Sequence, residues 1–342
     1  MLFNNFKKTD YNTREVNKMC TAISFKNGDH YFGRTLDLEY HYYEEVVITP
    51  RNFTFNFKHS EAGKTHFAII GIATVVDNYP LYYDAVNEKG LCVAGLNFPK
   101  SAVYSKIKEN CENIAVFEFI PFILSKFSSV AEVRDFLSKA VITDIQFNEK
   151  FPMATLHWII SDKNCSITVE STKNGLNVYD NSLEILTNEP EFPYHMLNLS
   201  NYMNLTAEDC LNRFSKKLDI QSYSRGMGAI GLPGDNSSAS RFVRVAFTKS
   251  NSACDASEEA NVSQFFHILG SVNQVKGTVR LKNGENVYTV YTSCCNADKL
   301  IFYYTTYVNR QICAVDMKKE NLDTDDLICY SIMNDQQIKF QN

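Results

Sequence analysis

The stretch "MCTAISFKNGDHYFGRTLD", residues 19–37, decides how the front of the chain folds. Apolar and polar residues alternate from Cys20 to Phe25, Asn27-Gly28 is the dipeptide that favours a two-residue hairpin turn, and residues 31–36 read as the returning strand. Cys20 therefore begins a strand whose partner carries Arg34 and nearly reaches Asp37. The cysteine also stands directly behind a second methionine, after an 18-residue polar leader.

At 342 residues, 44% hydrophobic and 13% aromatic, the chain has ample material for a core. Lys+Arg of 34 against Asp+Glu of 39 leaves a net charge of −5 with no dense basic stripe, which argues against a nucleic-acid partner. The ten cysteines include no CxxC and no Cys/His pair at ligand spacing, which argues against a metal site. Cys294 and Cys295 lie in an apolar strand-like run, so they should point to opposite faces rather than pair.

Beyond the hairpin, strands are expected at residues 45–49, 67–76, 82–86 and 91–96. Helices are expected at 112–127, interrupted at Pro121, and at 130–140, where Ser129 and Glu132 form a capping-box signature. A second strand block covers 155–161, 166–171, 176–179 and 183–187. Helices near 207–218, 240–248 and 260–272 then precede a meander at 286–295, 300–307 and 311–317. Hairpin-linked strand blocks separated by paired helices make an α+β plan with antiparallel sheets, unlike alternating βαβ units. With no linker or repeat, residues 20–342 read as a single domain.

Two motifs lead nowhere. "GMGAIG", residues 226–231, fits a dinucleotide fingerprint, but no hydrophobic strand precedes it and Pro233-Gly234 follows, so it reads as a glycine-rich loop. A papain-like pairing of a cysteine with His157 or His267 lacks any recognisable motif around either histidine, and both read as core or surface residues.

Exposed as an N-terminus, Cys20 would supply both nucleophile and base: its thiolate attacks a carbonyl while its own α-amine, with an ordinary pKa of about 7.7–8.0, carries the proton. Such a centre needs a group to orient the amine, a cation to favour the thiolate and donors to receive the oxyanion. Arg34 and Asp37 are the nearest candidates.

At these residues the chain resembles a known family. "MCTAISF", "YFGRTLD", "YPLYYDAVNEKGLCVAGLNFP", "LTNEP" and "GLPGDNSSASRFVRVAF", in this order, resemble the choloylglycine hydrolases, which comprise bile salt hydrolases and penicillin V acylases of the N-terminal-nucleophile hydrolases. The resemblance implies a four-layer αββα sandwich and hydrolysis of a non-peptide amide without metal or organic cofactor. It implies Cys20 as nucleophile, Arg34 and Asp37 beside it with Asp37 holding the α-amine, Asn188 and Asn97 at the oxyanion hole, and Arg241 lining the site. A homotetramer is also implied.

Asparagine at position 97 resembles the bile salt hydrolase branch, where some penicillin V acylases have tyrosine. Glycine- or taurine-conjugated bile salts are then the expected substrates, with penicillin V or another N-acyl amide as the alternative. Tyr79, Leu81, Tyr82, Phe147 and Phe151 are candidate walls for an amphipathic substrate. Residues 1–19 must be removed for the chemistry to begin. The leader has no apolar core or small-residue cleavage site, which favours a translation start at Met19 over a propeptide, and a cytoplasmic location. No segment has the roughly 18 apolar residues of a membrane span. If the leader stays, the non-enzymatic alternative is an amphiphile-binding protein of the same fold.

Overall fold

The computed structural model describes residues 19–60, 65–149, 151 and 153–342; the leader at 1–18 lies outside the described residues. The front of the chain supplies β1 (Met19–Asn27), β2 (Asp29–Leu38), β3 (Glu45–Thr49), β4 (Ile69–Val76), β5 (Tyr79–Asn87) and β6 (Cys92–Asn97). A helical interlude follows, with α1 (Phe119–Lys126) and α2 (Val130–Leu137) flanked by β7 (Glu112–Ala115) and β8 (Ala140–Thr143). Next come β9 (Leu156–Ser161), β10 (Ser166–Thr172), β11 (Gly175–Asp180) and β12 (Ile185–Leu186), then helices α3 (Phe192–Asn198), α4 (Ser238–Ser250) and α5 (Glu258–Gly270). The chain closes with β13 (Val279–Arg280), β14 (Asn286–Asn296), β15 (Ile301–Thr306), β16 (Cys313–Asp316) and β17 (Ile328–Ser331).

Two antiparallel sheets result. One runs β12-β1-β2-β14-β15-β16 with β13 beside β14, and the other β11-β10-β9-β6-β5-β4-β3-β17. β1 and β2 pack against β6 across the gap between them, α4 and α5 cover the first sheet, and α1 covers the second at β4, β5 and β6. This is the αββα sandwich. Because both sheets are covered on both faces, strands such as β4, "IIGIATVV", read as near-continuous apolar runs. The core falls into two clusters: Val46, Ile70, Ala94 and Ile159 face the first sheet, and their neighbours Val47, Ile69, Val93 and Trp158 face α1 and α2.

The opening hairpin is tighter than expected. Pairing continues to Asn27 opposite Asp29, leaving Gly28 at the tip with φ of +76°, a conformation that suits glycine. Gly33 matters for a different reason: a Cβ there would stand 2.1 Å from the Ser293 carbonyl oxygen, so only glycine lets β2 lie this close to β14.

Two expectations need correction. Residues 112–115 are a strand pairing in parallel with β8, and the helix begins only at Phe119, so Pro121 falls in its first turn, where a missing N–H costs nothing. Residues 207–218 form no helix; Leu211 and Phe214 are 76% and 85% exposed, and a segment this short gains little from helix formation without a face to bury. The helix at α3, the pair β7–β8 and the edge strand β17 were not foreseen. Ser129 does cap α2 by accepting from the Glu132 N–H, while the Glu132 carboxylate accepts from Ser128. Cys294 and Cys295 are both buried free thiols, and residues 226–231 form a loop with a single 3-10 turn.

Candidate active site

The register of the first hairpin places Cys20 opposite Leu36 and Ala22 opposite Arg34. Side chains directly across an antiparallel pair share a face, so Cys20 and Arg34 both point towards the second sheet. Arg34 crosses that gap: its Nη1 donates to the carbonyls of Tyr83, at 3.1 Å, and Gly95, at 2.5 Å, in β5 and β6. Its Nη2 is buried with no hydrogen-bond partner among the described residues. Burial works against the guanidinium charge, but the neighbouring Cys20, Tyr291, Asp84 and Asp37 outweigh it and hold Arg34 above its ordinary value.

Asp84 was not foreseen. It sits fully buried on β5, accepting from Tyr291 Oη and Ser293 Oγ, both at 2.7 Å, and Ser293 Oγ also accepts the Arg34 backbone N–H at 3.0 Å. Burial pushes its carboxyl upward, against the pull of Arg34 and the two hydroxyl bonds. A bulge in β5 between its pairings with Ile72 and Ala73 explains the placement. It turns Asp84 towards the first sheet although Tyr82, two residues earlier, faces the helices.

Asp37 stands on the other face of β2. It accepts from Thr289 Oγ at 2.7 Å and Thr35 Oγ at 3.2 Å. Burial raises its carboxyl to about 6, opposed by Arg241, the two threonine bonds and Arg34. The Cys20 nitrogen donates to Asn188 Oδ1 at 2.9 Å. With Met19 in place that nitrogen is a peptide N–H, and Asp37 pairs across the hairpin with Met19, the residue before Cys20.

Asn188 follows β12, the short strand that pairs with β1 at Ala22 and Ile23. Its Oδ1 also accepts from Arg241 Nη2 at 2.6 Å, and its Nδ2 donates to the Asn97 carbonyl at 2.9 Å, leaving a second N–H. Asn97 ends β6 and is buried. Arg241 reaches in from the first turns of α4, whose cap is Ser237; its Nη1 donates to the Cys20 carbonyl at 2.5 Å and Thr21 Oγ at 2.7 Å. Burial pulls Arg241 below its ordinary value, against Asp37 and Cys20. Asp235 anchors this helix end by accepting from the Ser237 N–H and Ser240 Oγ, bonds that lower its carboxyl to about 2.

Cys20, Arg34, Asn97, Asn188 and Arg241 thus converge, with Asp37 behind them. The candidate wall residues divide. Tyr79, Phe147 and Phe151 form a chain of rings, 5.6 Å and 6.0 Å between successive centroids, joined by Phe117 and Phe55. Leu81 is half-buried on β5. Tyr82 cannot serve as an open wall: it is buried in the cluster facing α1 and α2, with its hydroxyl bonded to Thr49 Oγ at 2.7 Å. Among the described residues no group of His, Cys, Asp and Glu side chains could hold a metal ion.

A buried thiol beside a guanidinium, with its backbone nitrogen held by an amide oxygen, is an arrangement suited to acyl transfer. The family model of linear amide C–N hydrolases, choloylglycine hydrolase family, matches residues 20–330, beginning at Cys20 itself. The chain is 51% identical to a bile salt hydrolase/transferase of Lactiplantibacillus plantarum, over 93% of this chain and 98% of that one. It is 42% identical to a bile salt hydrolase/transferase of Clostridium perfringens, over 91% and 96%. A crystal structure of a conjugated bile acid hydrolase variant from Clostridium perfringens superposes with a TM-score of 0.88 at 40% identity, covering 94% of this chain and all of that one. A penicillin V acylase from Agrobacterium tumefaciens shares the fold, with a TM-score of 0.71 at 17% identity. With fold, thiol and family match in agreement, this chain belongs to the choloylglycine hydrolase family of linear amide C–N hydrolases.

Proposed function

We propose that the chain, once it begins at Cys20, hydrolyses the amide bond of glycine- or taurine-conjugated bile salts. The observation that carries this reading is the Cys20 nitrogen, 2.9 Å from Asn188 Oδ1. While Met19 is attached this nitrogen is a peptide amide; freed, it is an amine held beside its own thiol and able to move a proton.

In this reading the Cys20 sulfur attacks the substrate carbonyl carbon and the α-amine takes the thiol proton. Asn97 and the second N–H of Asn188 receive the oxyanion, and Arg34 and Arg241 supply positive charge around the thiolate. The amine then returns the proton to the leaving nitrogen, freeing glycine or taurine, and water cleaves the thioester. Asp37 balances Arg241 from behind.

The bile salt assignment is supported by the names of relatives at 51% and 42% identity. The transferase half of those names favours a second outcome for the same intermediate, in which an amine replaces water. Residues 20–342 act as one domain in this reading. A cytoplasmic setting fits the ten free thiols. Assembly into a homo-oligomer, a tetramer by family resemblance, fits the apolar side chains laid out along residues 197–230, where Leu197, Met203, Leu211, Phe214 and Tyr223 are all more than two-thirds exposed.

The test is release of glycine or taurine from conjugated bile salts, set against release of phenoxyacetate from penicillin V. Faster bile salt cleavage is expected; the opposite ranking moves the substrate to the acylase side.

A further inference from the structure

Two histidines outside the catalytic group converge on the peptide that bears Asn188. His157, on β9, faces the Thr187 carbonyl with Nε2 at 2.9 Å. His195, in α3, faces the Asn188 carbonyl with Nε2, also at 2.9 Å. A carbonyl oxygen can only accept, so both rings donate there. Ser238, the first residue of α4, completes the grip: its Oγ accepts the Asn188 N–H at 2.8 Å and donates to Thr187 Oγ at 2.9 Å. Every polar group of the Thr187–Asn188 peptide that faces the interior therefore has a partner.

The rings are themselves fixed, and by residues adjacent to the catalytic group. His157 stacks on Phe98, 4.2 Å between centroids and 7° between planes, and Phe98 follows Asn97. Its Nδ1 lies 3.0 Å from Glu170 Oε1, and the Glu170 carboxylate also accepts the Phe192 N–H that opens α3. His195 stacks on Phe242, 4.8 Å away, and Phe242 follows Arg241. Burial lowers His195 to about 4, so it stays neutral and donates only through Nε2; its Nδ1 has no partner among the described residues.

Resting on the reading above, in which Asn188 orients the α-amine of Cys20, we infer that His157 and His195 are positioning residues for this reaction. They hold the Asn188 peptide so that Oδ1 meets the amine and Nδ2 faces the oxyanion. Neither touches substrate.

The test compares His195→Gln, whose amide can reach the same carbonyl, with His195→Phe, which keeps the stack on Phe242 and loses the donor. Both are made in enzyme processed to Cys20 and assayed on a glycine-conjugated bile salt, with melting temperature measured alongside. His195→Phe should lose about 10²-fold in kcat with little change in KM, the scale expected from an ångström of misplacement. His195→Gln should recover most of that loss. Wild-type kcat in the phenylalanine variant overturns the inference, as does equal loss in both variants that tracks their melting temperatures. If His195→Phe does not fold, His157→Gln and His157→Phe take its place, since His157 pairs a donor to the Thr187 carbonyl with a stack on Phe98, with the same expected contrast and the same overturning result. Cys20→Ala separates the two levels: activity there defeats the underlying reading, whereas a dead Cys20→Ala beside a fully active His195→Phe defeats only the histidine roles.

Discussion

The Cys20 nitrogen and Asn188 Oδ1 stand 2.9 Å apart, and the same oxygen accepts from Arg241 at 2.6 Å. One amide oxygen therefore orients both the group proposed as base and the guanidinium that donates to the Cys20 carbonyl. Asn188→Ala removes this hub together with an oxyanion donor, and kcat should fall about 10²–10³-fold, the usual loss for one such donor. A stopped-flow or steady-state assay on processed enzyme checks this; a loss below tenfold would place the orienting group elsewhere.

Asp84 gives a separate prediction for stability. Its buried carboxylate faces Arg34 and holds Tyr291 and Ser293 at 2.7 Å each. Removing one member of a buried charge group leaves the other uncompensated, so Asp84→Ala should cost about 3–5 kcal/mol in urea unfolding. Asp84→Asn, which retains the shape and one acceptor, should cost less.

The first hairpin was legible because Asn27-Gly28 and strict alternation are local signals, and the strand blocks were legible because each buries at least one face. Short elements were not. β7, β8 and β17 have four residues each, too few for periodicity to declare itself. The stripe at Leu211, Phe214 and Leu218 misled because helical spacing counts only when something covers it. At the site, Asn97, Asn188 and Arg241 carry no individual signal and emerged only from motifs taken together. His157, His195 and Asp84 stayed hidden, since a lone histidine or aspartate reads the same whether it is satisfied core or support for a catalytic group.

Two buried groups set opposite pH slopes. Burial, aided by Lys26, lowers His30 from 6.5 to about 4, so unfolding takes up a proton and stability falls as pH drops through that window, by up to about 3 kcal/mol. Asp37 is raised from 3.8 to about 6, so the folded state holds the extra proton and stability falls as pH rises through that range. In denaturation series from pH 4 to 7, His30→Gln should flatten the loss on the acid side, and Asp37→Asn should steepen it.

The exposed segment at residues 197–230 predicts an assembly change. Replacing Leu211 and Phe214, 76% and 85% exposed, with aspartate removes apolar surface without disturbing the core. If this face is covered by another copy, sedimentation should show a smaller species; an unchanged sedimentation coefficient would separate the segment from assembly.

Intact-mass measurement of the active protein bears most directly on the proposed chemistry. Active enzyme should begin at Cys20, and protein retaining Met19 should be inert towards conjugated bile salts, because its Cys20 nitrogen is an amide and cannot take a proton from the thiol. Full activity from a homogeneous preparation whose chain still begins at Met1 or Met19 would contradict the N-terminal cysteine mechanism.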